Sequence, residues 1–267
     1  MDKRPVGIFD SGLGGLTAVK ALRKLLPDED IIYFADSARV PYGAKSPARL
    51  RRIAKQDLDL LSSFGVKAIL AACGTVSSNT ADIIEAYPVP AMGVINSVVN
   101  LMAKTPGSGP LGVIATEASI KSGVYQRELG RLCPRREIMA LPCPAFVPLI
   151  ESGHIGPDDA ELRNAVRAAL QPMKDGGIQA LLLGCTHFGI ISEAIGQYLG
   201  EDVSLVSAAD SAAAEMASFL KENSLTGGGG RLRFLTSGSP EEFSAVAAKF
   251  LCTTEFPVPE QVPVMEV

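Results

Sequence analysis

The stretch Gly65-Val66-Lys67-Ala68-Ile69-Leu70-Ala71-Ala72-Cys73-Gly74-Thr75 decides the fold, because the chain repeats its pattern at Gly177-Ile178-Gln179-Ala180-Leu181-Leu182-Leu183-Gly184-Cys185-Thr186-His187. Each copy opens with Gly, an aliphatic residue, a polar residue and Ala, then runs through apolar residues to a cysteine. The copies align without a gap. A short apolar run bounded by turn residues reads as a strand covered on both faces, as in a parallel sheet. Ligands of open α/β sheets bind beyond the carboxyl ends of the strands. Both cysteines therefore sit where chemistry is expected. One such cysteine would more often be a small core residue; two at equivalent places in a duplicated unit favour a functional reading.

A chain of 267 residues allows one large domain or two of ordinary size. A hydrophobic fraction of 47% with 20% charged residues is ordinary for a globular protein with a substantial core. The net charge of −4 provides no basic footprint for nucleic acid. There is no signal-like start and no apolar run long enough to span a bilayer, so no membrane partner is expected and the expected compartment is the cytoplasm. Cys73, Cys133, Cys143, Cys185 and Cys252 are irregularly spaced, which argues against a disulfide framework. With no C-x-x-C pair and two histidines, no metal site is expected. Cys133, Cys143 and Cys252 are read as core residues.

Working outward, Pro5-Val6-Gly7-Ile8-Phe9 reads as a strand ending at Asp10-Ser11-Gly12. Gly12, Gly14 and Gly15 make a turn into a helix carrying Leu16, Val19, Leu22 and Leu26. Neither G-x-G-x-x-G nor a Walker lysine is present, so the turn is not read as a nucleotide site. Its backbone N–H groups offer a seat for a carboxylate, and Asp10 is expected as a helix cap or a base there. Ile31–Ala35 is a second strand, followed by the turn-rich loop Asp36–Gly43. A helix capped by Ser46, with Pro47 in its first turn, leads into the first cysteine strand. One helix through Ile83 and Ile84 is expected after Cys73.

The pattern then restarts. Lys104–Gly109 has the composition of a boundary, and Pro110-Leu111-Gly112-Val113-Ile114-Ala115-Thr116 echoes Pro5-Val6-Gly7-Ile8-Phe9-Asp10-Ser11. A helix opened by Pro157 and running through Leu162, Val166, Leu170 and Met173 feeds the second cysteine strand. Two echoes in the same order indicate an internal duplication. The expected fold is α/β, with two pseudo-symmetric domains, mainly parallel sheets and the active site in the cleft between them. The first domain would be residues 1–97 with 209–267, and the second 98–208. The tail, with strands at 203–206 and 232–235 and helices at 211–220 and 240–250, is expected to return to the first half and end in an irregular arm.

If the halves face each other, Cys73 and Cys185 confront one crevice. A pair of acid/base groups on opposite faces of a substrate suits removal of a proton from one face and delivery to the other, which is racemisation or epimerisation. A thiolate is a competent base, but a free thiol has a pKa near ~8.5, so neighbours must assist. His187 lies two residues beyond Cys185, and Asp10 ends the strand expected beside that of Cys73. No lysine occupies a motif position, so a pyridoxal phosphate Schiff base is not expected.

The motifs Ile8–Gly15, Asp36-Ser37 with Pro41-Tyr42-Gly43, Ala72-Cys73 with Thr75, Gly112–Thr116 and Leu183–His187 together resemble glutamate racemase, of the aspartate/glutamate racemase family. The likeness runs in order over roughly residues 5–251. It includes Pro142-Cys143-Pro144 and Glu151-Ser152-Gly153. The resemblance implies a cofactor-independent isomerase that interconverts L- and D-glutamate and supplies D-glutamate for peptidoglycan, as a cytoplasmic homodimer. It implies Cys73 and Cys185 as the proton donor/acceptors, with Asp10 and His187 as assistants. Substrate contacts would come from Asp10, Ser11, Pro41, Tyr42, Gly43, Gly74, Thr75, Thr116, Thr186 and His187. Two departures stand out: Gly74 replaces the family's usual Asn, and His187-Phe188-Gly189 differs from its usual aromatic-proline sequel. The alternatives are a racemase for another amino acid such as aspartate, and a catalytically inactive glutamate-binding protein.

Overall fold

A computed structural model describes residues 1–251, 253 and 255–265, leaving Cys252 outside the described residues. The chain forms two sheets in which every pair of neighbouring strands is parallel. The first contains β1 (Val6–Asp10), β2 (Ile31–Ala35), β3 (Ala68–Ala71), β4 (Ala91–Gly93), β9 (Leu232–Thr236) and β10 (Glu260–Gln261). The second contains β5 (Leu111–Ala115), β6 (Ile138–Pro142), β7 (Ala180–Leu183) and β8 (Ser204–Ser207). Their orders are β10-β9-β2-β1-β3-β4 and β6-β5-β7-β8. The run β2-β1-β3-β4 thus has the same connectivity as β6-β5-β7-β8, and the duplication seen in sequence is a duplication of topology.

The cysteine strands form where the apolar runs predicted them. β3 and β7 are buried at every position, as strands covered by helices on both faces must be. They pair with β1 and β5, so Ile8 lies beside Leu70 and Val113 beside Leu182. The helix Pro47–Ser63 has Ser46 as its cap, with the Ser46 side chain accepting from the Arg49 N–H, and it buries Leu50, Ile53, Leu58 and Leu61. The second feeder helix spans Ala160–Asp175 and starts later than Pro157 predicted: Asp159 accepts the Leu162 N–H at 2.9 Å and is the cap. Pro157 belongs to the turn before it.

Two further expectations are corrected. The segment after Cys73 makes two short helices, Gly74–Asn79 and Ala81–Glu85, because Thr80 leaves the helical conformation between them. One element is added to the expected set: edge strand β6, whose five residues are all apolar but only half-buried or, at Pro142, exposed. The tail divides: β8 completes the second sheet, while helix Ala208–Glu222 packs on helix Leu16–Leu25 and β9 pairs with β2. The terminal arm is pinned by β10, which pairs with β9.

The chain crosses between the sheets twice, through helix Ile95–Ala103 and at the start of helix Ala208–Glu222, and these two helices pack on each other. Among the described residues no helix is long and apolar enough to cross a membrane.

Candidate active site

The carboxyl ends of β1, β3, β5 and β7 open into a cavity of about 500 Å³ between the two sheets. Every residue singled out from the sequence lines it, from Asp10 and Ser11 through the Pro41–Gly43 loop to Cys185, Thr186 and His187. Cys73 follows β3 as the first residue before helix Gly74–Asn79, and Cys185 follows β7 before a short 3-10 segment. Both are nearly fully buried and neither is in a disulfide.

The seat at the start of helix Leu16–Leu25 is filled by the chain itself. Asp10 accepts the Gly15 N–H at 2.6 Å and the Ser11 N–H at 2.8 Å. It also accepts the Thr186 hydroxyl at 3.2 Å, which reaches over from the second half. The seat at this turn thus holds Asp10 itself, the carboxylate expected there from the sequence. Gly14 makes the approach possible, since a Cβ there would lie 2.3 Å from His187 Nδ1 and 2.5 Å from Thr186 Oγ1. A second bridge joins the Thr75 and Thr116 hydroxyls at 2.8 Å.

The two sulfurs have unlike surroundings. The Cys73 thiol donates to Ser11 Oγ at 3.7 Å. Burial pushes this thiol well above its ordinary range, and the Asp10 carboxylate adds to the effect, so Cys73 holds its proton at neutral pH. Cys185 Sγ instead lies 3.8 Å from His187 Nδ1, while His187 Nε2 is 3.1 Å from Glu151 Oε1. Burial opposes the charge on His187, but its hydrogen bonds to Cys185 and Glu151 raise its pKa to about 10. A protonated imidazole therefore faces one sulfur and a carboxylate faces the other.

His187 has a consequence for stability. Its folded pKa is above the ordinary value of 6.5, so its contribution is complete below pH 6.5 and is lost as the pH rises to about 10. The unfolding midpoint of the wild type should exceed that of His187→Asn at pH 6, and the gap should narrow steadily by pH 10. A gap independent of pH would show that folding leaves the pKa of this histidine unshifted.

Tyr42 lines the cavity, but its hydroxyl donates to Asp36, in a short contact, and to Asp57 Oδ2 at 3.2 Å. This narrows the expectation for Tyr42: its hydroxyl serves a buried network with Arg39, and the crevice meets the rest of the residue. Sequence reasoning gave no site role to Glu151 and read Cys143 as a core residue; both line the cavity. Glu151 reaches His187 from helix Phe146–Ser152, a contact that no local spacing reveals. Burial raises the Cys143 thiol to about 12, which suits a spectator.

A two-sheet α/β fold whose halves each bring a strand-end cysteine to one crevice defines the class of racemases that work between paired domains. Residues 17–216 match the family described as Asp/Glu/Hydantoin racemase. The chain belongs to this family and is an isomerase. It is 37% identical over 255 residues to a glutamate racemase of Geobacter metallireducens, covering 94% of each chain. A crystal structure of a glutamate racemase isoform from Bacillus anthracis superposes with a TM-score of 0.92 at 30% identity, covering 99% of both chains. That of Francisella tularensis glutamate racemase in complex with D-glutamate gives 0.89 at 39% identity, covering 98% of both.

Proposed function

We propose that the protein interconverts L- and D-glutamate by proton transfer between two cysteines. The observation that carries this reading is the pairing of Cys73 and Cys185 at equivalent strand ends in one crevice, one on the side of Asp10 and Ser11 and the other 3.8 Å from His187 Nδ1. The α C–H bond breaks as one sulfur takes the proton, and the opposite S–H delivers its proton to the other face. The sulfurs carry one proton between them before and after. Asp10 and Ser11 position Cys73. His187, held by Glu151, stabilises Cys185 while it is a thiolate. Main-chain N–H groups of the Pro41–Gly43 loop and of Gly74, with the hydroxyls of Thr75, Thr116 and Thr186, suit the two substrate carboxylates.

In the same reading, residues 1–97 with 209–267 form one domain and 98–208 the other. The D-glutamate serves peptidoglycan, and the protein works as a cytoplasmic homodimer, as the family resemblance implies. The test is incubation with L-glutamate in deuterated water without added cofactor, followed by circular dichroism and NMR at Cα. Loss of optical activity with α-deuteration is the expected result. Racemisation of L-aspartate with L-glutamate untouched would transfer the reading to the other amino acid, and failure of both to exchange would overturn it.

A further inference from the structure

Gly74 is a residue whose missing side chain the crevice uses. A Cβ at this position would lie 2.2 Å from the Gly184 carbonyl oxygen and 3.3 Å from its carbon. Carbon–oxygen contacts below 3.0 Å essentially do not occur, so the two main chains meet here only because there is no Cβ. Nothing local demands glycine. Gly74 is not among the residues with positive φ and begins a regular helix, where alanine is the better helix former.

Neither side of the contact is free to yield. The Gly184 N–H donates to Ile114 O at 2.8 Å, and the Gly184 carbonyl accepts the hydroxyl of fully buried Tyr125 at 3.1 Å. On the other side, Cys73 O accepts the Ser77 N–H at 2.9 Å, and Thr75 is tied to Thr116. Gly74 follows Cys73, and Gly184 precedes Cys185. The contact therefore joins the peptides that carry the two sulfurs.

We propose that Gly74 sets the width of the reaction crevice: by admitting the Gly184 carbonyl against the start of the helix after Cys73, it fixes the separation across which the two sulfurs hand over a proton. This rests on the two-cysteine reading above and makes Gly74 a positioning residue for it. A methyl group at this position pushes the halves apart by about 1 Å, and a misplacement of that size costs roughly 100-fold in rate.

A wider gap has a signature that lost stability does not. The sulfur that takes the α-proton still reaches it, exchanges it for a solvent deuteron and returns that deuteron to the same face. Delivery to the opposite face fails. Wild type and Gly74→Ala are therefore compared in deuterated water with L-glutamate, scoring by chiral chromatography and mass spectrometry the α-deuterated L form against the D form. Inversion should fall roughly 100-fold in Gly74→Ala, and the ratio of exchange with retention to inversion should rise at least about tenfold. An equal fall in both, or no fall, overturns the inference. Should Gly74→Ala not fold, Tyr125→Phe is read in the same way: it releases the Gly184 carbonyl, and the ratio should rise about threefold, whereas an unchanged ratio overturns the inference. A wild type that neither exchanges nor inverts glutamate refutes the two-cysteine reading itself. A wild type that inverts it, beside a variant with the wild-type ratio, refutes only the role of Gly74.

Discussion

Replacement of either Cys73 or Cys185 by alanine is expected to abolish racemisation, with kcat falling by at least about 10³-fold, within the range for removing a positioned acid or base. The more informative result concerns what survives. With Cys73 gone, Cys185 and its histidine can still take an α-proton from one hand of the substrate and return a deuteron to it. With Cys185 gone, only the other hand can exchange, and more slowly, because burial and Asp10 hold the Cys73 proton in place. Incubating each variant with L- and D-glutamate separately in deuterated water tests this. Exchange of opposite hands by the two variants is the expected pattern. Exchange of both hands by one variant would mean that a single group serves both faces.

Arg39→Met should produce the largest loss of stability. Arg39 donates to Asp36 Oδ2 and to Asp57 Oδ1, each at 2.6 Å, and both carboxylates are buried. Ser237 donates to Asp36 Oδ1 at 2.8 Å, and Tyr42 closes the network. Burial already raises the pKa of Asp36 and raises that of Asp57 well above the usual carboxylate range, and Arg39 opposes both shifts. Removing the guanidinium leaves two buried carboxyl groups without the cation hydrogen-bonded to both, at a cost of about 3–5 kcal/mol. Urea unfolding at pH 7 measures it. Lys55→Met, which breaks the exposed pair with Asp59, is the control and should leave the midpoint essentially unmoved. An Arg39→Met midpoint as little changed would show that the carboxyl groups are neutral and self-sufficient. Because Tyr42 is anchored in this network, the variant should also loosen the loop at the cavity wall.

What could be read from the chain beforehand follows from locality. The cysteine strands were legible because burial on both faces writes a continuous apolar run ending in a turn, and their repetition exposed the pairing of the halves. Asp10 and His187 were legible because each stands within a few residues of a strand end. Glu151 was not, because its tie to His187 joins separate elements. Edge strand β6 is apolar throughout, as β3 is, but it lacks the gap-free repeat that drew attention to β3. Gly74 could be recognised as a departure from its family, but the carbonyl that occupies the missing space comes from the other half of the chain.

In the two-cysteine reading, the unlike surroundings of the two sulfurs impose a rhythm on the cycle. Mirror-image substrates have equal free energy, so the equilibrium constant is one and kcat/KM must be the same in both directions, whatever the site looks like. Asymmetry can appear only in how that ratio divides between kcat and KM. In that reading, with Cys73 favoured as thiol, the protein is poised for the direction in which Cys73 is the proton donor. A turnover in that direction leaves the proton on the other sulfur. Before it can repeat the same conversion, the protein must exchange that proton arrangement through water, so at high substrate the recovery of the empty crevice, rather than the chemistry on the substrate, can set the pace.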